Sequence, residues 1–221
     1  MPKVRVKTCG ITNTEDALLC LEAGAHALGF IFAKSSPRQI TPQECKSIIQ
    51  ALPPFCERVG VFVDEEIKTV TEIVHSCGLS AVQLHGKENK EYILNLKNTC
   101  NLPIIKAFRV KTEDDFSQTL KEIKELEENV QAFLLDSPLL EAKDKQVIDA
   151  KFFTEICKTT SRPTILAGAL NPSNIQEILA GLKPSFVDLC SGLEASPGKK
   201  DPEKIKGFFE ALAWIQQMLS D

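Results

Sequence analysis

The stretch RPTILAGALNPSNIQEILAGLKPSFVDLC, residues 162–190, contains two short apolar runs on either side of one helical segment. The runs at residues 162–168 and 185–190 have the length and the apolar content of buried strands. Residues 171–182 carry apolar side chains at helical spacing after Asn171 and Pro172, a pair that favours a helix start. A strand, a helix and a second strand in this order predict two parallel strands joined by a crossover helix.

The same unit recurs along the whole chain. Strand candidates occupy residues 3–9, 26–32, 57–63, 80–84, 102–108, 130–136, 162–168 and 185–190. Helix candidates occupy residues 13–24, 41–52, 65–78, 90–98, 112–129, 150–160, 171–182 and 201–219. We expect left-handed helix caps at Gly24, Gly78 and Gly181, because glycine adopts that backbone conformation without steric cost.

Eight strand-helix units in 221 residues favour a closed (β/α)8 TIM barrel, an α/β fold, near the lower size limit of that architecture. An open doubly wound sheet is the alternative, but it more often carries a GxGxxG sequence after its first strand, and this chain has none. No linker or composition break divides the chain, so we expect one domain over residues 1–221. The longest connection, Ser137–Ala150, is predicted to be mobile.

The composition restricts the partners of the protein. The chain is 43% apolar with a formal net charge of −4 and no basic block, so nucleic acid is not expected to bind. No apolar run is long enough to span a membrane and no signal peptide is evident, which predicts a soluble, cytoplasmic protein without membrane contact. The eight cysteines form no CxxC pair and the three histidines have no ligand spacing, so we expect reduced thiols and no metal. A monomer is expected because no exposed apolar face is evident, and a dimer is the alternative.

Alternate side chains of a barrel strand face the interior, and polar residues at the C-terminal ends of strands are candidates for catalysis. The apolar side chains of strand one should face the helices, which places Lys7 and Cys9 inside. The same alternation places His85, Asp136 and Asp188 at the inward ends of strands four, six and eight. Simpler interpretations exist: a buried ion pair of Lys7 with Asp188, and a loop histidine at His85. Cys9 has the alternative of an apolar filler, and Asp136 that of a solvated loop carboxylate.

Cys9 and Asp136 together indicate proton-transfer chemistry. A thiol close to the Lys7 ammonium holds more thiolate, and a thiolate acts as a base or as a nucleophile. A carboxyl group enclosed at a barrel mouth has its pKa raised by desolvation, which makes it a usable general acid. A base and an acid on opposite walls of one site suit an isomerisation.

The loops after strands seven and eight indicate an anion site. AGALNPSN, residues 167–174, runs from strand seven directly into a helix, and CSGLEASPGKKD, residues 190–201, follows strand eight. Small residues let backbone N–H groups approach an anion, and a helix N-terminus adds its dipole. Barrel enzymes regularly bind phosphate at this location, whereas the alternative is that the glycines only permit tight turns. The predicted phosphate-binding residues are Gly168, Ala169, Ser191 and Gly192.

In their order and barrel positions, the motifs resemble those of the phosphoribosylanthranilate isomerase family. They are KTCGIT (7–12), GFIFAKSSPRQI (29–40), VGVFVD (59–64), VQLHG (82–86), KAFRV (106–110), LLDS (134–137), ILAGALNPSN (165–174) and VDLCSGLEASPGKKD (187–201). The resemblance implies an isomerase of tryptophan biosynthesis, which converts N-(5-phosphoribosyl)anthranilate into the carboxyphenylamino-deoxyribulose phosphate by an Amadori rearrangement.

The resemblance also implies roles for individual residues. Asp136 would be the general acid that opens the ribose ring, and Cys9 the general base that removes the C2 proton. Arg38 would bind the anthranilate carboxylate, since a guanidinium fork suits a planar anion. His85 and Asp188 would complete the substrate-binding set. Proton transfers of this kind need no metal or organic cofactor, and the expected partner is a small phosphorylated substrate.

Three positions depart from the family pattern. The loop after Asp136 has no glycine where the family usually has several, Ala169 replaces a usual glycine, and Cys190 replaces a usual serine. One alternative function is the barrel isomerase of histidine biosynthesis, which would have an aspartate and a phosphate loop in each half. Another is a phosphate-binding barrel with reduced turnover, against which the presence of Cys9, Asp136 and Arg38 argues.

Overall fold

A closed barrel of eight parallel strands forms the centre of the protein in a computed structural model that describes residues 3–110, 112–136 and 146–218. Of residues 146–150, only the helical backbone is described. The strands are β1 (Arg5–Cys9), β2 (Ala27–Ile31), β3 (Glu57–Phe62), β4 (Ala81–Leu84), β5 (Ile104–Arg109), β6 (Ala132–Asp136), β7 (Thr164–Ala167) and β8 (Phe186–Leu189). Each strand pairs with its neighbours in sequence, and β8 closes the barrel on β1. The predicted (β/α)8 barrel is confirmed.

Eight helices surround the strands in the described part of the chain. They are α1 (Thr14–Ala23), α2 (Pro42–Gln50), α3 (Ile67–Cys77), α4 (Lys90–Cys100), α5 (Glu113–Leu126), α6 (Gln146–Thr159), α7 (Ile175–Leu182) and α8 (Pro202–Met218). None of these helices is long and apolar enough to cross a membrane. The starts of two helices, α6 and α7, differ clearly from the predicted ones. Helix α6 begins within the stretch expected to be a connection, and α7 begins four residues after Asn171.

Local side-chain hydrogen bonds explain where the helices start. Thr41 and Glu44 form a reciprocal capping box at the start of α2, in which the Thr41 hydroxyl accepts from the Glu44 amide at 3.3 Å. Before α7, the Asn174 side chain instead accepts from the Asn171 amide at 2.9 Å. Asn171 in turn accepts from the backbone amide of Ser173 at 2.9 Å. This side-chain turn competes with helix formation, so the predicted start at Asn171 is wrong.

Two of the three predicted glycine caps are confirmed. Gly24 and Gly78 end their helices with φ values of 115° and 72°. Gly181 lies inside α7, and Lys183 provides the left-handed cap with a φ of 49°. The prediction at Gly181 is therefore wrong, because the helix continues past it.

The apolar core has two parts. The larger one fills the space between the barrel and the helices and includes Val6 on β1. A smaller cluster inside the barrel is made of Ala107, Ala132, Leu134, Ile165 and Ala167. Three of these five residues are alanines, and the small side chain of Ala167, at the end of β7, leaves room there for the cleft.

A short hairpin that the sequence did not predict follows β8. After a 3-10 turn at Ser191–Leu193, strand β9 (Glu194–Ser196) pairs antiparallel with β10 (Lys199–Lys200). The ammonium of Lys200 donates to the carbonyl oxygens of Cys9, at 2.7 Å, and Cys190, at 3.3 Å. The hairpin thus folds back over the C-terminal ends of β1 and β8.

Candidate active site

A cleft of about 540 Å³ opens at the C-terminal ends of the barrel strands. Every residue predicted for the site lines this one cleft: Cys9, Arg38, His85, Asp136, Gly168, Ala169, Asp188, Ser191 and Gly192. Gln83, Arg109 and Cys190 also line it. The side chains predicted from strand alternation thus meet in one cleft from the ends of four strands, β1, β4, β6 and β8, together with Arg38 and the loops after β7 and β8.

A buried ion pair lies behind Cys9. Lys7 and Cys9 are both buried on the inward face of β1. The Lys7 ammonium donates to both carboxylate oxygens of Asp188, at 3.0 and 2.9 Å. Burial opposes the charged form of Lys7, but Asp188 and the Cys9 thiol outweigh it and raise the Lys7 pKa above its ordinary value. Burial raises the pKa of Asp188 to about 7, against the attraction of Lys7. The ion pair considered from the sequence is therefore present, and it forms one wall of the cleft.

The surroundings of Cys9 favour its thiolate. A side-chain hydrogen bond with Cys190 is the largest influence that lowers the Cys9 pKa well below its ordinary value, and Lys7 and Lys200 add favourable charge. Burial acts in the opposite direction. Contact with Cys9 and burial both raise the pKa of Cys190. Of the two thiols, Cys9 is the one suited to act as a base at neutral pH.

Gly29 on β2 makes room for this arrangement. A Cβ atom at Gly29 would lie 2.6 Å from the Cys9 sulfur and 2.9 Å from the Lys7 ammonium. Side chains essentially never make contacts this short with a Cβ. A residue without a side chain is therefore required for the thiol and the ammonium to share this part of the barrel.

Asp136 ends β6 among cationic and polar side chains. Its carboxylate lies 3.5 Å from His85 Nε2 and 3.9 Å from Arg109 Nε. Gln83 Nε2 lies 3.2 Å from the other ring nitrogen of His85 and orients the ring. A quarter of the Asp136 side chain is exposed, so the expected enclosure is partial within the described residues. The glycine-free connection Ser137–Ala150 is predicted to be mobile; its residues 137–145 lie outside the described residues, and its last five residues belong to α6.

Arg38 reaches the cleft from the β2–α2 loop and is held by a carboxylate. Its Nε donates to Glu194 Oε1 at 2.8 Å, and its Nη2 donates to Glu194 Oε2 at 2.7 Å. The Lys200 ammonium donates to the same Oε1 at 3.2 Å. Neither Glu194 nor Lys200 was predicted from the sequence to belong to the site. Both lie in the quoted motif CSGLEASPGKKD, but the hairpin that returns them to the barrel mouth gave no sequence signal.

The two predicted phosphate loops pack against each other. Gly168 and Ala169 both have left-handed backbone, with φ values of 96° and 48°. A Cβ atom at Gly192 would overlap the carbonyl oxygen of Leu170, so glycine is required where the two loops meet. Helix α7 begins only at Ile175, so the expectation that strand seven runs directly into a helix is wrong. The cleft is therefore lined by residues of the two loops and not by the N-terminus of α7.

The closed barrel and its polar cleft at the C-terminal strand ends define a (β/α)8-barrel enzyme. The sequence pattern described as N-(5'-phosphoribosyl)anthranilate (PRA) isomerase matches residues 6–211, and the chain belongs to this family. Membership makes it an isomerase of tryptophan biosynthesis, as the resemblance predicted.

Relatives support the assignment over nearly the full length. The N-(5'-phosphoribosyl)anthranilate isomerase of Pelobacter propionicus is 39% identical over 205 residues, 93% of each chain. A crystal structure of phosphoribosyl anthranilate isomerase in complex with reduced 1-(o-carboxyphenylamino)-1-deoxyribulose 5-phosphate is 38% identical, has a TM-score of 0.83 and covers 96% of this chain and 99% of that one. A structure of monomers generated from the dimeric enzyme of Thermotoga maritima is 36% identical, with a TM-score of 0.79 and coverage of 95% and 98%.

Proposed function

We propose that the chain catalyses the Amadori rearrangement of N-(5-phosphoribosyl)anthranilate, with Asp136 as general acid and Cys9 as general base, in a single catalytic domain. One observation carries the assignment: the Cys9 thiol, with Lys7 behind it, and the Asp136 carboxyl face the same cleft. Family membership supplies the substrate class. The reaction requires only proton transfers, for which these two side chains suffice without a metal or an organic cofactor.

Asp136 acts first. Its carboxyl proton passes to the ribose ring oxygen, the bond from that oxygen to C1 breaks, and a Schiff base forms with the anthranilate nitrogen. His85 and Arg109 lie beside the carboxylate that remains and stabilise its charge.

Cys9 acts second. Its thiolate removes the proton from C2 of the Schiff base, which gives an enolamine that tautomerises to the ketone product. Lys7 lies behind the thiolate and favours the charged form of the base before proton transfer. The paired Asp188 holds the Lys7 ammonium in place and faces the cleft, where we assign it to substrate binding with His85.

The two ends of the substrate carry negative charge and need separate sites. Three N–H groups of Arg38 remain after its bonds to Glu194, and we assign them to the anthranilate carboxylate. The loops after β7 and β8 lie in the same cleft and suit the phosphate at the other end. We assign phosphate binding to the backbone of Gly168, Ala169, Ser191 and Gly192.

The fluorescence decay of freshly generated phosphoribosylanthranilate tests the proposal. We expect catalysed decay with the unaltered protein and a loss of about 10²-fold or more for Cys9→Ala and for Asp136→Asn, as removal of a general base or acid predicts. Cys157→Ala, which removes an exposed thiol on α6, is the control. Absence of decay above background, or full activity in both variants, would overturn the proposal. Product-analogue binding without decay would instead indicate the phosphate-binding barrel with reduced turnover.

We also propose that the protein is a dimer in solution. The sequence favoured a monomer, but Phe55, in the α2–β3 loop, is fully exposed in a left-handed backbone with a φ of 68°. A cavity of about 1030 Å³ lies at the same N-terminal end of the barrel, bordered by Glu57 and Phe186. An exposed phenyl ring at the same end of the barrel as a large cavity could enter the cavity of a second copy, and the Thermotoga maritima relative is dimeric.

We keep the cytoplasm as the proposed location. All eight cysteines are free thiols, including the exposed Cys157. Free thiols persist in a reducing compartment, whereas secreted proteins with this many cysteines usually pair them.

A further inference from the structure

Glu194 is a buried carboxylate that binds the proposed carboxylate-binding side chain and is connected, through Lys200, to the strand that carries Cys9. It is 5% exposed and stands at the start of β9. Arg38 binds it through Nε and Nη2, and Lys200 binds it from the other side. Burial raises the pKa of Glu194, but the hydrogen bonds and charges of Arg38 and Lys200 outweigh this and lower it below its ordinary value. Glu194 is therefore an anion between two cations.

The geometry decides which edge of Arg38 is free. A guanidinium group has five N–H donors in a fixed plane. Glu194 takes the side edge formed by Nε and Nη2, which leaves one proton of Nη1 and one of Nη2 on the terminal edge and the second Nη1 proton on the side of Cδ. A carboxylate can still bind this edge with two parallel hydrogen bonds. Since the paired edge is planar and bidentate, Glu194 fixes the plane of the guanidinium as well as its free edge.

Gly10 is required for Arg38 to lie where Glu194 can hold it. A Cβ atom at Gly10 would lie 2.8 Å from Arg38 Cδ and 3.5 Å from Glu194 Oε1. Gly10 directly follows Cys9, so the aliphatic part of Arg38 crosses the end of β1. The carboxylate-binding side chain and the base are thus supported by the same piece of backbone.

Lys200 completes the connection to the base. Its side chain is fully buried, and it bridges Glu194 to the carbonyl oxygens of Cys9 and Cys190. Arg38 and Lys200 carry two positive charges against the one negative charge of Glu194. The group therefore keeps a net positive charge that attracts an anionic substrate, while neither cation is left unpaired in the barrel mouth.

We propose that Glu194 is a positioning residue of the substrate-carboxylate site: it holds the terminal guanidinium edge of Arg38 toward the cleft and, through Lys200, fixes that edge relative to Cys9. This inference rests on the proposed function, because it requires a carboxylate-bearing substrate at Arg38. Without Glu194, Arg38 keeps its charge but loses its fixed plane, and the charge repulsion between Arg38 and Lys200 is no longer offset.

A pair of ligands measures this role. The first is reduced 1-(o-carboxyphenylamino)-1-deoxyribulose 5-phosphate, and the second is the same compound with an unsubstituted phenyl ring. The ratio of their dissociation constants, measured by calorimetry, reports recognition of the carboxylate, because phosphate binding and general stability affect both ligands alike. In the unaltered protein we expect the carboxylated ligand to bind about 10-fold or more tightly, as a charge-assisted hydrogen bond pair predicts.

Glu194→Gln should bring this ratio down close to that of Arg38→Met and raise the KM more than it lowers kcat. Glu88→Gln is the matched control, because Glu88 is a buried carboxylate paired with Lys106 at 2.8 Å and does not line the cleft. It should lose stability and keep the ratio. Glu194→Asp, which keeps the charge but is one methylene too short to reach both cations, should give an intermediate ratio and serves if the glutamine variant does not fold.

The outcomes separate the two levels of inference. An unchanged ratio in the Glu194 variants, with a normal ratio in the unaltered protein, overturns the positioning role alone. An equal fall in Glu88→Gln also overturns it, because the effect would then be general. A ratio near one in the unaltered protein overturns the role of Arg38 as well. Absence of catalysed decay in the fluorescence assay overturns the proposed function itself.

Discussion

Lys7 donates to both carboxylate oxygens of Asp188, its partner across the β1–β8 pairing. Lys7 precedes Cys9 by two residues and lies on the same face of β1. The pair is both a structural ion pair and part of the site, so the two interpretations of these residues are compatible. The pair holds the Lys7 ammonium in a fixed position behind the thiol. At this depth in the barrel, charge interactions are stronger than they are in water.

Removal of one partner should be far more damaging than removal of both. Lys7→Met leaves the Asp188 carboxylate buried without a partner, which costs about 3–5 kcal/mol of unfolding free energy. The double variant Lys7→Met with Asp188→Asn removes both charges and should cost clearly less than the sum of the single changes. Urea unfolding at neutral pH measures the three values. Additive costs would show that the two side chains do not interact energetically.

The pH dependence of activity should follow the Cys9 thiol. Because its pKa lies well below the ordinary value, the thiolate persists as the pH falls, and kcat/KM should decline only below the range in which an ordinary thiol takes up its proton. Cys190→Ala removes the largest influence that lowers this pKa, so the acidic limb should move to higher pH. Cys190→Ser keeps a hydrogen-bond donor and should move it less.

The thiolate absorbance of each protein, corrected with the matching Cys9→Ala variant, provides the same midpoint without substrate. Cys157→Ala, at an exposed position, is the control and should leave the limb in place. Coincident pH profiles for the unaltered protein and Cys190→Ala would show that the hydrogen bond from Cys190 does not lower the Cys9 pKa.

Local patterns were sufficient to predict the barrel because each strand-helix unit carries its own signal, as in residues 162–190. Period-two alternation on a single strand likewise placed Lys7 and Cys9 inside. The contact between Arg38 and Glu194 could not be predicted in this way, because 156 residues separate them and the connecting hairpin has no periodicity. The start of α7 was misplaced for a different reason: the side chains of Asn171 and Asn174 form a turn where the sequence also fits a helix.

Gly29→Ala should impair catalysis more than stability. The added methyl group would push the Cys9 sulfur and the Lys7 ammonium apart. We expect kcat/KM to fall about 10- to 100-fold, since small displacements of reacting groups are costly, and overpacking to cost about 1–3 kcal/mol. Gly181→Ala is the matched control, because a Cβ there meets no atom within 4 Å and Gly181 lies inside α7. It should stabilise the protein by about 0.5–1 kcal/mol and leave activity unchanged. A fully active Gly29→Ala enzyme would argue against a precise position for the thiol.

Phe55 should decide the oligomeric state. If its ring enters the cavity at the N-terminal end of a second barrel, the unaltered protein sediments at about 49 kDa, twice the chain mass of 24.4 kDa, and Phe55→Ser sediments at the mass of one chain. Trp214→Ser is the matched control, because Trp214 is a half-exposed aromatic residue on α8 that does not line the cavity. It should remain a dimer. A single-chain mass for the unaltered protein at all concentrations would restore the monomer, and dissociation by Trp214→Ser in place of Phe55→Ser would move the interface to α8.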